Sequence, residues 1–318
     1  MKLFKLSLIV VLLVTANSCF SESFRFIAYG DMPYKIPDDY PKYERLIRVI
    51  NQHEPAFTIF VGDTKSGSTP CTNEYNETVK NYFKLFKNPL MYSVGDNEWT
   101  DCHRPLAGSY DPLERLSNLR ETFFADHLSF GRTPIHLVRQ ADVMKNFSTY
   151  VENSYWIKND FLFVSLHIPG SNNNFGRTLD ADDEYFSRNQ ANLAWIDYCF
   201  DLANSQNLMG IILSFQADMF QPKKSSNEAN SGFKDTIESL STHSQGFKKP
   251  VLLINGDSHR LIIDQPLKIS NGKFVLENVI RLQVMGEDQV EAVEIEVNPS
   301  SEQPFSFKPI LIKENNNY

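Results

Sequence analysis

The sequence predicts an α/β fold around a buried, largely parallel β-sheet, with a second sheet finished late in the chain. Three observations carry that reading: short apolar runs recur, stretches of helical spacing separate them, and two alternating runs stand near the C-terminal end. Apolar runs at 24–29, 57–61, 90–94, 161–167, 211–215 and 251–255 each have strand length and each stop at a polar cluster. Between them, 40–51, 77–86, 113–124 and 191–204 space their apolar residues as amphipathic helices do. Such alternation of strand and helix indicates parallel pairing. Runs 280–284 and 290–297 alternate apolar with polar residues, and Gly286, Glu287 and Asp288 suit a turn between them, so an antiparallel hairpin is expected there.

With 42% hydrophobic and 22% charged residues, the 318-residue chain is globular rather than disordered, collagen-like or coiled coil. No linker divides it, so a single domain over 22–318 is expected. The net charge of −8 and the absence of any basic stretch longer than two residues argue against nucleic acid as a partner. At the start, Lys2 and Lys5 precede an apolar run over 6–14, followed by Ala16, Asn17 and Ser18. This is the layout of a signal peptide over 1–18, so an exported protein, secreted or periplasmic, is expected. A spanning helix needs about 20 apolar residues; no segment reaches that length, and no transmembrane segment is expected after cleavage. Cys19 offers lipid anchoring as a lesser alternative, because Ala16 and Asn17 fit a lipobox poorly. Cys199, inside an apolar stretch, reads as a buried free thiol. Asn76-Glu77-Thr78 and Asn146-Phe147-Ser148 are glycosylation sequons, meaningful only in a eukaryotic host.

Four of the strand candidates end in one dipeptide: Gly30-Asp31, Gly62-Asp63, Gly95-Asp96 and Gly256-Asp257. With 14 glycines and 20 aspartates in 318 residues, chance supplies about one such pair. Open α/β sheets bind ligands beyond the carboxyl ends of their strands, and glycine there permits a turn that leaves the next side chain facing the crevice. The four aspartates should therefore converge. Two carboxylates about 4 Å apart repel by about 4 kcal/mol at an effective dielectric near 20, so a positive partner is required. Lys65, Arg104 and Arg260 offer structural ion pairs; a divalent metal held by carboxylates from separate strands fits the geometry better.

These blocks resemble the calcineurin-like metallophosphoesterases, whose pattern runs D-x-H, G-D, G-N-H-[DE], a lone His, then G-H-x-H. Here the blocks read Asp31-Met32-Pro33, Gly62-Asp63, Gly95-Asp96-Asn97-Glu98, Gln216, and Gly256-Asp257-Ser258-His259, in the same order and spacing across about residues 24 to 262. The resemblance implies a four-layer αββα sandwich of two mixed β-sheets holding one or two divalent ions. Asp63 would bridge them, Asp31 and His259 would complete the first site, and Asp96, Asp257 and Gln216 would serve the second. It further implies hydrolysis of a small phosphate mono- or diester by a metal-bound hydroxide. In that fold Cys71 and Cys102 lie side by side and are expected to form a disulfide.

The departures are systematic. Pro33 removes one imidazole, Asp96 replaces an asparagine, and Gln216 and Asp257 replace two histidines. Exchange of nitrogen for oxygen favours Mn²⁺ or Mg²⁺, with Ca²⁺, Fe or Zn²⁺ as alternatives. Asn97 stands where the family's histidine aids the transition state and protonates the leaving oxygen. His103 is a candidate substitute acid, or else an exposed loop histidine, and Arg104 a candidate phosphate clamp. Lys65 and the amides of Asn172 and Asn173 are candidate substrate contacts, although asparagines there equally suit turns and helix caps. His167 ends a strand and reads as a catalytic or ligand histidine, or as a satisfied core one. Asp218 reads as a carboxylate that orients a ligand, or as a loop acid. Two functions follow: a metal-dependent phosphoesterase, or a metal-stabilised binding protein that kept the fold and lost turnover.

Overall fold

A computed structural model describes residues 22–221, 231–269 and 274–315. The expected leader over 1–18 and the Cys19 anchor lie outside the described residues. All six apolar runs form strands: β1 (Phe24–Tyr29), β2 (Thr58–Phe60), β3 (Leu90–Tyr92), β6 (Phe161–Ser165), β7 (Gly210–Ser214) and β8 (Val251–Asn255). The period of two is plainest in β1, where Phe24, Phe26 and Ala28 face one core and Ile27 and Tyr29 another.

The helical stretches become α1 (Tyr40–His53), α2 (Asn73–Phe83), α3 (Pro112–Phe123) and α6 (Leu179–Ser205). Local chemistry sets their starts. Thr72 Oγ1 accepts from Tyr75 N at 3.1 Å ahead of α2, and Asp111 Oδ1 from Leu113 N at 2.9 Å ahead of α3, where Pro112 takes the first helical position. Helix α6 begins before the apolar spacing does, because its first turn is acidic and Thr178 Oγ1 caps Ala181 N at 3.2 Å. The remaining elements are β4 (Val138–Arg139), α4 (Gln140–Val143), β5 (Ser154–Lys158), the single turn α5 (Gly170–Asn173), α7 (Lys234–Phe247), β9 (Ile262–Asp264), β10 (Val279–Gln283), β11 (Ala292–Val297) and β12 (Phe305–Ile310).

Two mixed sheets result. The first runs β12-β11-β1-β2-β3, with β1, β2 and β3 parallel; the second runs β4-β5-β6-β7-β8-β10-β9, parallel from β6 to β10. The hairpin expected from 280–284 and 290–297 does not form. Strand β10 pairs parallel with β8 in the second sheet, whereas β11 pairs antiparallel with β1 in the first. Alternation marks a strand without naming its partner, and the 284–291 connection crosses from sheet to sheet instead of turning back.

Between the sheets lie Phe26, Phe57, Met91, Phe163, Ile212, Leu252 and Leu282. Phe163 stands edge-on to Phe26 and Phe57 at 5.4 and 4.9 Å. On the far side of the first sheet, Ile27, Tyr29 and Phe60 meet Leu46, Ile47 and Phe83 of α1 and α2; on that of the second, Leu162, Leu213 and Leu253 meet Trp195, Cys199 and Leu240 of α6 and α7. Each large apolar side chain so buried contributes about 1.5–3 kcal/mol. This is the expected αββα order. Cys71 and Cys102 form a disulfide and Cys199 is a buried free thiol. Asn76 is buried in α2 and donates to Asn118 Oδ1 at 3.0 Å, so that sequon is closed in the folded chain. Among the described residues no helix is long and apolar enough to cross a membrane.

Candidate functional site

Strands β1, β2 and β3 of the first sheet deliver Asp31, Asp63 and Asp96, and β7 and β8 of the second deliver Gln216 and Asp257. Asp31, Asp63 and Asp257 themselves take positive φ, at 54°, 57° and 74°. Aspartate is among the few side chains that tolerate this region. The neighbouring glycines chiefly permit close approach. A Cβ on Gly95 would overlap Asp63 Oδ1 and stand 2.8 Å from Glu98 Oε2. One on Gly170 would stand 2.8 Å from Asp96 Oδ1 and 2.9 Å from Asp257 Oδ1, so those two oxygens face the same point from different sheets.

Hydrogen bonds orient each carboxylate. Asp31 accepts from Asp257 N at 3.0 and 3.1 Å. Asp63 Oδ1 accepts from Asn97 N at 3.1 Å, while its Oδ2 accepts from Asn97 Nδ2 and the Tyr34 hydroxyl, both at 2.8 Å. Glu98 Oε1 accepts from Thr64 N at 2.7 Å and Tyr92 hydroxyl at 3.1 Å. Asp257 Oδ2 accepts from the backbone N–H of Asp218 at 2.9 Å, while the Asp218 carboxylate, the group expected to orient a ligand, is bonded to Ser258 Oγ at 2.7 Å and Arg281 Nη1 at 2.8 Å. Ser171 Oγ lies 2.7 Å from Asp96 Oδ2 and 2.8 Å from Asp101 Oδ1. One hydroxyl hydrogen serves one carboxylate at a time.

Burial first, and neighbouring negative charge second, make these groups weak acids. Asp31 and Asp63 are pushed well above the usual carboxylate range, and Asp101 and Asp257 up to about 7. Glu98 also rises, through burial. Among the described residues no Lys or Arg side chain forms an ion pair with Asp31, Asp63, Asp96 or Asp257; Arg104 pairs instead with Asp101, Nη2 to Oδ2 at 2.7 Å. Asp96 Oδ1 and Glu98 Oε2 are buried without a hydrogen-bond partner. By its chemistry the donor set fits a hard divalent cation: oxygen-rich, like-charged, with two orphaned oxygens. Among the described residues no group of three or more His, Cys, Asp or Glu side chains is arranged to hold an ion as it stands, so the fit is one of donor type.

The remaining candidates separate clearly. His259 joins the cluster, its Nε2 3.8 Å from Asp31 Oδ1 and its Nδ1 3.0 Å from Glu287 Oε2. Asn97 clamps Asp63. Gln216 is fully buried, its Oε1 accepts from Gly170 N at 2.5 Å and its Nε2 has no partner. His103 is exposed, its Nδ1 2.7 Å from Thr100 O, and Arg104 is half-exposed beside it.

Four expected roles are corrected. Lys65 is buried and its ammonium donates to Thr69 O at 2.9 Å and Ser66 O at 3.4 Å, because its own loop folds back over it. Asn173 is fully buried between Arg188 Nη1 and Gly232 O, and Asn172 closes the same loop through Gly232 N and Phe175 O. Both amides are committed within the fold, Asn173 to the Arg188 guanidinium and Gly232 O, Asn172 to Gly232 N and Phe175 O. His167 has no exposed side-chain surface: its Nδ1 is 2.8 Å from Glu152 Oε1, and it lies too deep to meet a substrate. Burial holds its imidazole below the usual histidine value, against the pull of Glu152. Tyr34, Ser171 and Asp101 carry no strand-end signal; each enters the site only through the tertiary fold.

No family model matches this sequence, and no curated protein matches it. Among solved structures, the fold is similar to that of PhoD, with a TM-score of 0.54 and 10% identity over 90% of this chain and 68% of that one. It is also similar to a dimetal phosphatase from Danio rerio, with a TM-score of 0.50 and 10% identity over 91% of this chain and 98% of that one. The chain thus has a metallophosphoesterase-type fold; at such identity the likeness is one of fold alone.

Proposed function

We propose that this protein is an exported hydrolase of small phosphate mono- or diesters that works with one or two divalent cations, Mn²⁺ or Mg²⁺ by preference. One observation carries the reading: buried carboxylates from four strand ends, short of positive charge, stand at the carboxyl ends of both sheets of a metallophosphoesterase-type fold. Asp31, Asp63, Asp96, Asp257 and His259 would hold the cation. Bound there, it would polarise a phosphoryl oxygen and acidify water.

The chain's own groups do the rest. Asn97 and Tyr34 fix Asp63 through three hydrogen bonds. Arg104 presents a guanidinium to a phosphoryl oxygen at the rim. On His103, Nδ1–H is committed to Thr100 O, so only the imidazolium, through Nε2–H, would pass a proton to the leaving oxygen and be left as the neutral Nδ1–H ring. Hydrolysis of an aryl phosphate or phosphodiester that stops with a chelator and returns with Mn²⁺ is the expected result. A second reading, the cation-stabilised binding protein, is favoured by the amide of Asn97, which donates to Asp63 and to Tyr34 and has no proton to give away. Added Mn²⁺ that raises thermal stability while all esters survive would select it.

A further inference from the structure

Ser171, Asn172, Asn173 and Asn174 form a run of four residues at positive φ, 45°, 55°, 57° and 64°. No glycine relieves it. Side chains occupy this region one at a time in ordinary folds, so four in succession must be held by their surroundings. Here the hold is visible. Arg188 grips Asn173 Oδ1 at 2.5 Å, Asn173 Nδ2 donates to Gly232 O at 2.9 Å, Gly232 N donates to Asn172 Oδ1 at 3.0 Å, and Asn174 Nδ2 donates to Glu184 Oε2 at 3.0 Å.

What the turn delivers is Ser171, whose hydroxyl stands between Asp96 and Asp101. The other oxygen of buried Asp101 pairs with Arg104. An unbroken chain of short contacts therefore runs from the acidic cluster to the exposed guanidinium: Asp96 to Ser171 at 2.7 Å, Ser171 to Asp101 at 2.8 Å, Asp101 to Arg104 at 2.7 Å. A lone arginine at a rim samples many rotamers, whereas one braced through Nη2 keeps its other N–H groups aimed.

We infer that the left-handed turn at 171–174 is a positioning device, in which Ser171 fixes Asp101 and thereby aims Arg104 at the phosphoryl group of the substrate. This rests on the phosphate-ester reading above. Ser171 is a positioning residue that acts through Arg104.

The test is Ser171→Gly, which removes the hydroxyl and suits positive φ, so the fold should hold and the thermal midpoint should stay level or rise. The expected result is a KM for an aryl phosphate, and a Kd for inorganic phosphate by calorimetry, weakened about three- to tenfold with kcat within about twofold, as loss of one orienting hydrogen bond should give. Arg104→Ala should lose more, and adding Ser171→Gly to it should change nothing further. Arg104→Lys should not restore affinity. Unaltered phosphate affinity in Ser171→Gly, or a loss that persists in the Arg104→Ala background, would overturn the inference. A chain that binds inorganic phosphate in this Ser171-dependent way but hydrolyses no ester would refute the hydrolase and leave the positioning role intact; one that binds no phosphate would overturn the inference.

Discussion

Two buried ionisable clusters lie at the carboxyl ends of the sheets, and the fold treats them in opposite ways. Around His167, each charge is matched. Glu152 takes two bonds from Arg120, at 2.6 and 3.0 Å, and one from His167, and Glu184 is paired with Arg188 at 2.7 Å. Burial alone would make Glu152 a weaker acid, yet Arg120 and His167 hold it well below the usual carboxylate range. Around Asp63 the matching stops. Burial and like charge push Asp31, Asp63 and Asp257 upward together, and the nearest ammonium, Lys65, is turned onto backbone carbonyls. The fold pairs the carboxylates of one cluster with arginines and leaves those of the other without a cationic partner, and that contrast is what the proposed cation site rests on.

Breaking the matched cluster should cost most. Arg120→Ala strands Glu152 in the core and should lower stability by about 3–5 kcal/mol in urea unfolding. The unmatched cluster depends on its loops. Cys71→Ser with Cys102→Ser releases a 31-residue loop joining the Asp63 and Asp96 segments and should cost about 3–4 kcal/mol in the same measurement. Saturating cation should act only on the unmatched side. Mn²⁺ at about 100 times its Kd should add about 2.7 kcal/mol, seen as a raised thermal midpoint. Smallest is Asp63→Asn, in which relief of repulsion is offset by an amide N–H facing the donors that Asp63 now accepts from, so the stability of the metal-free chain should change by no more than about 1 kcal/mol while the response to Mn²⁺ is abolished.

The two clusters also pull the pH profile apart. Asp101 and Asp257 are held at about 7 against unfolded values near 4, so the folded chain keeps protons the unfolded one releases. Their stabilisation is full below about pH 4 and drains away as pH rises through about 7. His167, depressed by burial, works the other way and loses stability as pH falls below its unfolded value of about 6.5. Metal-free protein should therefore be most stable on the acid side of neutrality, and excess Mn²⁺ should move that optimum upward; thermal midpoints across pH 4 to 9 would show whether it does.

Much of the fold was legible because it rests on local patterns. All six apolar runs of strand length became strands, and four Gly-Asp pairs in place of about one pointed to strand ends with a shared purpose. Partner choice was not legible, since β10 and β11 look alike in sequence and go to different sheets. Nor was burial of polar groups. His167 and Asn173 had the right chemistry and position along the chain, but depth decided their roles, and their partners Glu152, Arg188 and Gly232 are remote in sequence, whereas Lys65 is turned inward by Ser66 and Thr69 of its own loop. Tyr34 could have been suspected from its place three residues after Asp31; Ser171 gave no signal beyond lying in a turn-forming run.

The most direct measurement is calorimetric titration of chelator-treated protein with Mn²⁺, beside the Asp63→Asn variant. At least one equivalent bound by the unaltered chain, and loss of that binding in the variant, is the predicted result. No heat above dilution, or identical binding by both proteins, would contradict the reading of the acidic cluster as a cation site.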